Sequence, residues 1–292
     1  MRTGQEGRTL RKDITTPRAR AGKEVRMKHL GEFATRKEQA AYLRSLKGDE
    51  KYEALNEIIK NSEHIAFFGG AGVSTESGIP DFRSKDGLYN QHDVRFDRYQ
   101  PEYLLSSSCL YHEPKVFFEF YRQKMDARHC APNRAHYKLA EMEAKGKLDG
   151  VITQNIDGLH QKAGSRIVYE IHGSTLRNYC DRCGKKYPES YIYDSDEAVP
   201  YCRCGGLIRP DVTLYGESLP VDAWDGADRL IKKADCLIVG GTSLTVYPAA
   251  SLVRYYSGGY LIIVNRDSTG QENYADLIFN ESIGEVFSHI NV

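Results

Sequence analysis

Four of the seven cysteines fall in two close pairs, Cys180-x-x-Cys183 and, after eighteen intervening residues, Cys202-x-Cys204. Thiolates in two such pairs suit a closed tetrahedral zinc site, which holds a fold and leaves no position free for chemistry. The second pair is one residue tighter than the commoner C-x-x-C, so its turn must be shorter. Two disulfides are the alternative. The odd cysteine count, with Cys109 and Cys130 isolated, argues instead for a reducing, cytoplasmic setting with thiols free or bound to metal. Elsewhere the polar chemistry sits in short clusters. His172-Gly173 closes the apolar run IVYEIHG, where an imidazole of near-neutral pKa is suited to general-base work. Thr153-Gln154-Asn155-Ile156-Asp157 offers amides and a carboxylate fit for a ribose or a carboxamide. Capping of a following helix by Asn155 or Asp157 fits the same spacing equally well.

Gly69-Gly70-Ala71-Gly72-Val73-Ser74 reads as a loop whose backbone approaches a ligand, with helix-start N–H groups available to a pyrophosphate. A purely structural turn fits as well. The dinucleotide fingerprint G-x-G-x-x-G fails, because Thr75 stands where its third glycine belongs, and this counts against an ordinary dehydrogenase. Ser77 to Ser84 then places an acid, an aromatic and a cation (Asp81, Phe82, Arg83) in one loop.

These clusters need elements to hold them. Short apolar runs ending in polar residues recur at HIAFFGG (64–70), GVITQN (150–155), IVYEIHG (167–173), CLIVGGT (236–242), YLIIVN (260–265) and DLIFN (276–280). Helical stretches separate several of them, Trp224 to Ala234 among these. Buried strands alternating with helices predict a parallel sheet covered on both faces, with ligands beyond the strands' carboxyl ends. The chain from about Glu32 to Asn61 reads as helical, with Tyr52, Leu55, Ile58 and Ile59 on one apolar face. Two stretches interrupt the pattern: 84–146, with Phe117, Phe120 and Tyr121 on a helix, and the cysteine-bearing 179–206. Both are expected to form a smaller lobe. The remaining 32–83, 147–178 and 207–292 are expected to form a Rossmann-like α/β domain.

At 292 residues and 40% hydrophobic content the chain can bury a sizeable core. Its formal charge is zero, which advertises no specific nucleic-acid partner, and no apolar run is long enough to cross a membrane. Residues 1–28 carry nine Lys/Arg against three acids and almost nothing apolar. A flexible basic tail over 1–31, without a signal peptide, is expected.

Taken in order, the segments GAGVSTESGIPDFRS (70–84), TQNIDGLH (153–160), HG (172–173), the cysteine quartet, RPDVTLYGESLP (209–220), GGTSL (240–244) and VNRD (264–267) resemble the sirtuins. The likeness spans about Ile65 to Asp267 and is specific as a conjunction. It implies an NAD-dependent protein lysine deacetylase, in which NAD is consumed as co-substrate and the acyl group ends on ADP-ribose. It implies a cleft between a Rossmann-like domain and a zinc-bearing lobe, where NAD meets an acyl-lysine protein or peptide. By motif, His172 is the catalytic base. Asn155 and Asp157 hold the ribose and carboxamide beside Ile156. Gly70, Ala71, Thr75, Asp81, Phe82, Arg83 and Gln154 line the cofactor. Gly241, Thr242 and Ser243 take the phosphate side, and Asn265, Arg266 and Asp267 the adenine ribose. One structural Zn2+ sits on Cys180, Cys183, Cys202 and Cys204. Val212–Gly216 is expected to pair with the peptide as a strand. Relatives that prefer acidic acyl groups carry Tyr-x-x-Arg; here Tyr121 is followed three residues later by Lys124, which favours acetyl over succinyl. ADP-ribosyl transfer on the same scaffold, a dehydrogenase, and a non-catalytic zinc-ribbon module are the competing readings.

Overall fold

The computed structural model describes residues 28–292, so most of the expected basic tail (1–27) lies outside the described residues. The expected tail ends too late, because Leu30 is already buried in the main core.

Six parallel strands form the large sheet: β1 (Ile65–Gly69), β2 (Leu148–Thr153), β3 (Val168–Glu170), β7 (Cys236–Gly240), β8 (Tyr260–Val264) and β9 (Leu277–Phe279). Their order is β3-β2-β1-β7-β8-β9, all neighbours parallel. Counted within this sheet, that is the doubly wound order 3-2-1-4-5-6 of the Rossmann fold. A three-stranded antiparallel sheet interrupts it between β3 and β7: β4 (Gly173–Cys180), β5 (Lys186–Pro188) and β6 (Ile208–Val212), in the order β5-β4-β6.

Alternation along each central strand builds two cores. Ile65, Phe67, Val151, Ile238 and Ile262 face one side, and Ala66, Phe68, Ile152, Leu237 and Ile263 face the other. Both faces of β1 are fully buried, which is why its sequence shows an unbroken apolar run. The first face is covered by α1 (Arg36–Ser45) and α2 (Asp49–Asn61). The expected single helix over 32–61 is therefore two. The chain breaks at 46–48 so that Leu46 can follow Leu43 into the core.

The lobe holds α3 (Pro101–Leu104), α4 (Ser107–His112) and α5 (Pro114–Lys124) around an aromatic core containing Phe117, Phe118, Phe120 and Tyr121. The next helix, α6 (Arg134–Ala144), belongs elsewhere than the 84–146 lobe segment suggests. Its Ala135, Leu139 and Met142 pack into the core beneath the large sheet. The short α7 (Leu159–Ala163) follows β2, and α8 (Ser190–Tyr193) adds Ile192 to the lobe core. On the second sheet face lies α9 (Val221–Lys233), three residues longer at its start than Trp224 suggests, and α10 (Ile283–Ser288) closes the first face. Among the described residues no helix is long and apolar enough to cross a membrane.

Candidate functional site

The strand order reverses direction between β1 and β7, and the loops leaving their carboxyl ends interlock there. Gly70 N–H donates to Gly240 O at 3.2 Å, and Gly72 N–H to Gly241 O at 2.8 Å. A Cβ on Gly241, whose φ is +60°, would lie 2.4 Å from Val73 N. Glycine is thus required at 241 because two backbones touch each other there. The third strand end joins through Gln154, whose Nε2 donates to Thr242 Oγ1 at 3.0 Å.

Beside that junction a buried triangle forms. Ser74 Oγ donates to Asp157 Oδ2 at 2.7 Å and accepts from Asn155 Nδ2 at 3.0 Å. Burial raises the Asp157 carboxyl pKa, against the pull of the Leu159 amide and Ser74. Asp157 Oδ1 also accepts from Leu159 N–H at 2.9 Å, so it fixes the tight turn into α7, across Gly158, as well as holding Ser74. Ser74 was visible in the GAGVS motif but its bridging role was not. Ile156 packs against the lobe core while its carbonyl accepts from Thr175 N–H, tying large sheet to small.

His172 stands where the chain crosses from β3 to β4. It lies in neither strand, whereas IVYEIHG suggested one continuous run. Gly173 follows because its φ is +77° and a Cβ would strike Asp211 O. The ring Nδ1 lies 2.9 Å from Gln154 O, and the residue's own carbonyl accepts from Thr213 N–H at 2.9 Å. Burial depresses the imidazole pKa, with the Gln154 bond opposing.

The 81–90 loop is closed on itself. Asp81 Oδ1 accepts from Arg83 N–H at 3.0 Å and Ser84 N–H at 2.7 Å, so this acid shapes the loop. Phe82 packs on Tyr89 with ring centres 5.3 Å apart, and Arg83 Nη2 donates to Tyr215 Oη at 3.0 Å. Ala71 opens a 3-10 turn, and Thr75 Oγ1 donates to Gly72 O at 3.1 Å. Ser243 Oγ lies 2.8 Å from Thr245 Oγ1. Asn265, with Arg266 and Asp267 exposed beyond it, stands at the end of β8, and its Nδ2 donates to Asp267 O at 2.8 Å. A residue that sequence reading overlooked, Asn133, staples this region from α6. Its Nδ2 donates to Val73 O at 2.8 Å and Ser77 Oγ at 3.0 Å.

Two expectations need correction. Val212–Gly216 is not a free strand: β6 ends at Val212, and the N–H groups of Thr213, Leu214 and Tyr215 already donate to His172 O, Glu217 Oε2 and Leu105 O. Tyr121 and Lys124 do not face one pocket as the Tyr-x-x-Lys reading requires. Tyr121 is fully buried between Phe117 and Tyr193, and Lys124 reaches Gln91 Oε1 at 3.2 Å on the exposed side.

The four cysteines do converge. Their sulfurs lie within 4.8 Å of one another, Cys180 to Cys204 at 3.5 Å and Cys183 to Cys202 at 3.7 Å. These separations exceed the roughly 2.05 Å of a disulfide. Four sulfurs set tetrahedrally about 2.3 Å from a zinc stand about 3.8 Å apart, so the quartet fits that ion.

The Sir2 family model matches residues 70–248, which spans the interlocked loops, the triangle, His172 and the cysteines. The chain belongs to the Sir2 family. This sirtuin is 52% identical over 245 residues to an NAD-dependent protein deacetylase of Clostridium perfringens, covering 83% of this chain and 99% of the relative. A Clostridium acetobutylicum protein of the same description is 50% identical over 242 residues, covering 82% and 98%. Among solved structures, a Sir2 with a peptide and NAD+ superposes with a TM-score of 0.70 at 40% identity, covering 81% of this chain and 95% of that one. A Sir2 bound to a propionylated peptide gives 0.73 at 38% identity, covering 82% and 96%.

Proposed function

We propose that this sirtuin is an NAD-dependent protein lysine deacetylase that passes the acyl group from lysine to ADP-ribose and releases nicotinamide, an acyl transfer. The observation that carries this reading is His172. A carbonyl oxygen only accepts, so Nδ1 must donate to Gln154 O, which leaves Nε2 as the lone-pair nitrogen of a neutral ring.

NAD, when bound, supplies a ribose carbon open to attack by the acyl oxygen and a nicotinamide that departs. The protein's own work is positioning and one proton. His172 Nε2 takes the proton from a ribose hydroxyl, which an imidazolium cannot do. Asn155 and Asp157, locked by Ser74, hold the ribose and the carboxamide beside Ile156. Gly70, Ala71, Thr75, Phe82, Arg83 and Gln154 line the cofactor. Gly241, Thr242 and Ser243 face its phosphates, and Asn265, Arg266 and Asp267 its adenine ribose. Asp81 acts one step back, by shaping the loop that presents Phe82 and Arg83. Fixed amides and hydroxyls suit a reaction that needs orientation more than an activated nucleophile.

The Cys180, Cys183, Cys202 and Cys204 thiolates would hold one zinc with a structural role, since four protein ligands leave it no open position. Thiols kept free for that purpose suit a cytoplasmic location. The reading is tested by incubating an acetyl-lysine peptide with the protein, with and without NAD. Loss of 42 Da from the peptide (the mass of an acetyl group less a proton, roughly, by elementary stoichiometry) only when NAD is present supports it. Deacetylation without NAD, or none at all, refutes it.

A further inference from the structure

Ser74 can bridge Asn155 and Asp157 only if the main chain aims it at them. That chain is two short 3-10 turns, Ala71–Val73 and Thr75–Ser77, whose hydrogen bonds are poorer than those of an α-helix. The peptide group joining Val73 to Ser74 sets the direction of the Ser74 side chain. Its N–H donates to Ala71 O at 3.0 Å, a bond within the turn itself. Its carbonyl, Val73 O, accepts from Asn133 Nδ2 at 2.8 Å, and the same nitrogen donates to Ser77 Oγ at 3.0 Å beyond Ser74.

Asn133 is itself mounted rigidly. As the N-cap of α6 its Oδ1 accepts from Ala135 N–H at 3.0 Å, and its own N–H donates to His136 Nδ1 at 3.2 Å. With the amide oxygen on Ala135, Nδ2 is the donor left for Val73 and Ser77. Ala135, His136, Leu139 and Met142 are fully buried, so α6 cannot shift without disturbing a close-packed core. The cap alone needs only an oxygen, which serine or aspartate supplies as well. The NH2 group of asparagine is what the cap does not use, and it is the group that reaches the Ser74 turn.

We propose that Asn133 is a positioning residue whose Nδ2 holds the Val73–Ser74 peptide and, through Ser74, sets Asn155 and Asp157 for the nicotinamide end of NAD. The proposal rests on the deacetylase reading. The path is short: Asn133 to Val73 O, then Ser74 Oγ to Asp157 Oδ2 at 2.7 Å and from Asn155 Nδ2 at 3.0 Å. Orientation at the reacting bond dominates this chemistry, so a small rotation of Ser74 costs turnover more than it costs dinucleotide affinity. ADP-ribose, which lacks the carboxamide, does not sense it.

Asn133→Ser and Asn133→Asp both keep an N-cap oxygen and lose the NH2 group, and the test has two arms. In the ligand-free full chain, hydrogen exchange at the Ser74 and Ser77 amides should quicken, while the α6 amides of Leu139 and Met142 stay protected and Tm moves by a degree or two at most. With an acetyl-lysine peptide and NAD, kcat should fall roughly 10-fold, the worth of one or two hydrogen bonds, and inhibition by free nicotinamide should weaken by a similar factor. The dissociation constant of ADP-ribose should stay within about twofold of the native value. A purely structural role would lower Tm and the active fraction while leaving inhibition by nicotinamide as it was. Unchanged exchange in both variants, unchanged inhibition by nicotinamide, or an equal weakening of nicotinamide and ADP-ribose overturns the proposal. A native chain that deacetylates no peptide in the presence of NAD overturns the deacetylase reading instead, and the exchange arm reads the staple regardless.

Discussion

The imidazole Nδ1 of His172 and the main-chain oxygen of Gln154 lie 2.9 Å apart, so the end of β2 sets the tautomer of a side chain in the crossing between β3 and β4. Burial lowers the His172 pKa below its ordinary value near 6.5. The base is then neutral throughout the neutral range, and kcat/KM should hold as pH falls to 6.5 and decline only below it. His172→Ala should keep NAD binding and lose about 10²–10⁴-fold in turnover, the usual worth of a general base. Near-normal turnover by the folded variant would remove His172 from that role.

Zinc content is a second check. Protein purified without chelator should hold one zinc per chain, and Cys183→Ser should release it and lower Tm before any effect on chemistry is measured. In so small a sheet, metal affinity is folding free energy. Metal analysis that finds no zinc contradicts the site.

The strands were legible because parallel strands covered on both faces carry unbroken apolar runs, as Ile65–Gly69 does. The polar clusters were legible because this fold puts its site at strand ends. What sequence could not show was partnership. The close sulfur pairs are Cys180 with Cys204 and Cys183 with Cys202, across the sequence pairs, because the antiparallel β4 and β6 bring the two turns face to face. Ser74 lies inside the glycine motif and Asn133 is the N-cap of α6, but their bridging roles depend on contacts 81 and 60 residues away. The amphipathic α6 read as lobe because its apolar face fits any core. The break at 46–48 did carry a local sign: Gly48, with φ +54°, followed by the acids Asp49 and Glu50 that open α2.

Acid should destabilise the fold through a buried histidine pair. His136 and His160 lie with ring centres 4.7 Å apart, and burial lowers their pKa values to about 4 and about 3. Below about pH 6.5 the unfolded chain takes up protons that the folded one refuses. Stability is therefore full above that pH and falls toward pH 4, by about 1.4 kcal/mol per pH unit for each imidazole. Urea unfolding at pH 7.5, 6 and 5 should show this, and His160→Leu should flatten the decline. An equal slope in variant and native chain would contradict it.

Acetyl-lysine should be turned over with a kcat/KM at least about tenfold above succinyl-lysine on the same peptide, because an unpaired carboxylate costs several kcal/mol in an apolar channel. Lys124 offers a point charge, not a planar fork, and it already faces Gln91. Lys124→Ala should leave the ratio unchanged. A succinyl preference that vanished in Lys124→Ala would show the lysine serving the acyl site.

The most direct measurement is the stoichiometry of a single reaction. The protein is mixed with an acetyl-lysine peptide and NAD, and free nicotinamide, unmodified lysine peptide and acetylated ADP-ribose are quantified together by mass spectrometry. Equal amounts of all three, with none formed when either substrate is withheld, is the result expected of acyl transfer to ADP-ribose through His172. Free acetate formed without nicotinamide, or nicotinamide released while the lysine stays acetylated and ADP-ribose appears on protein, would contradict it.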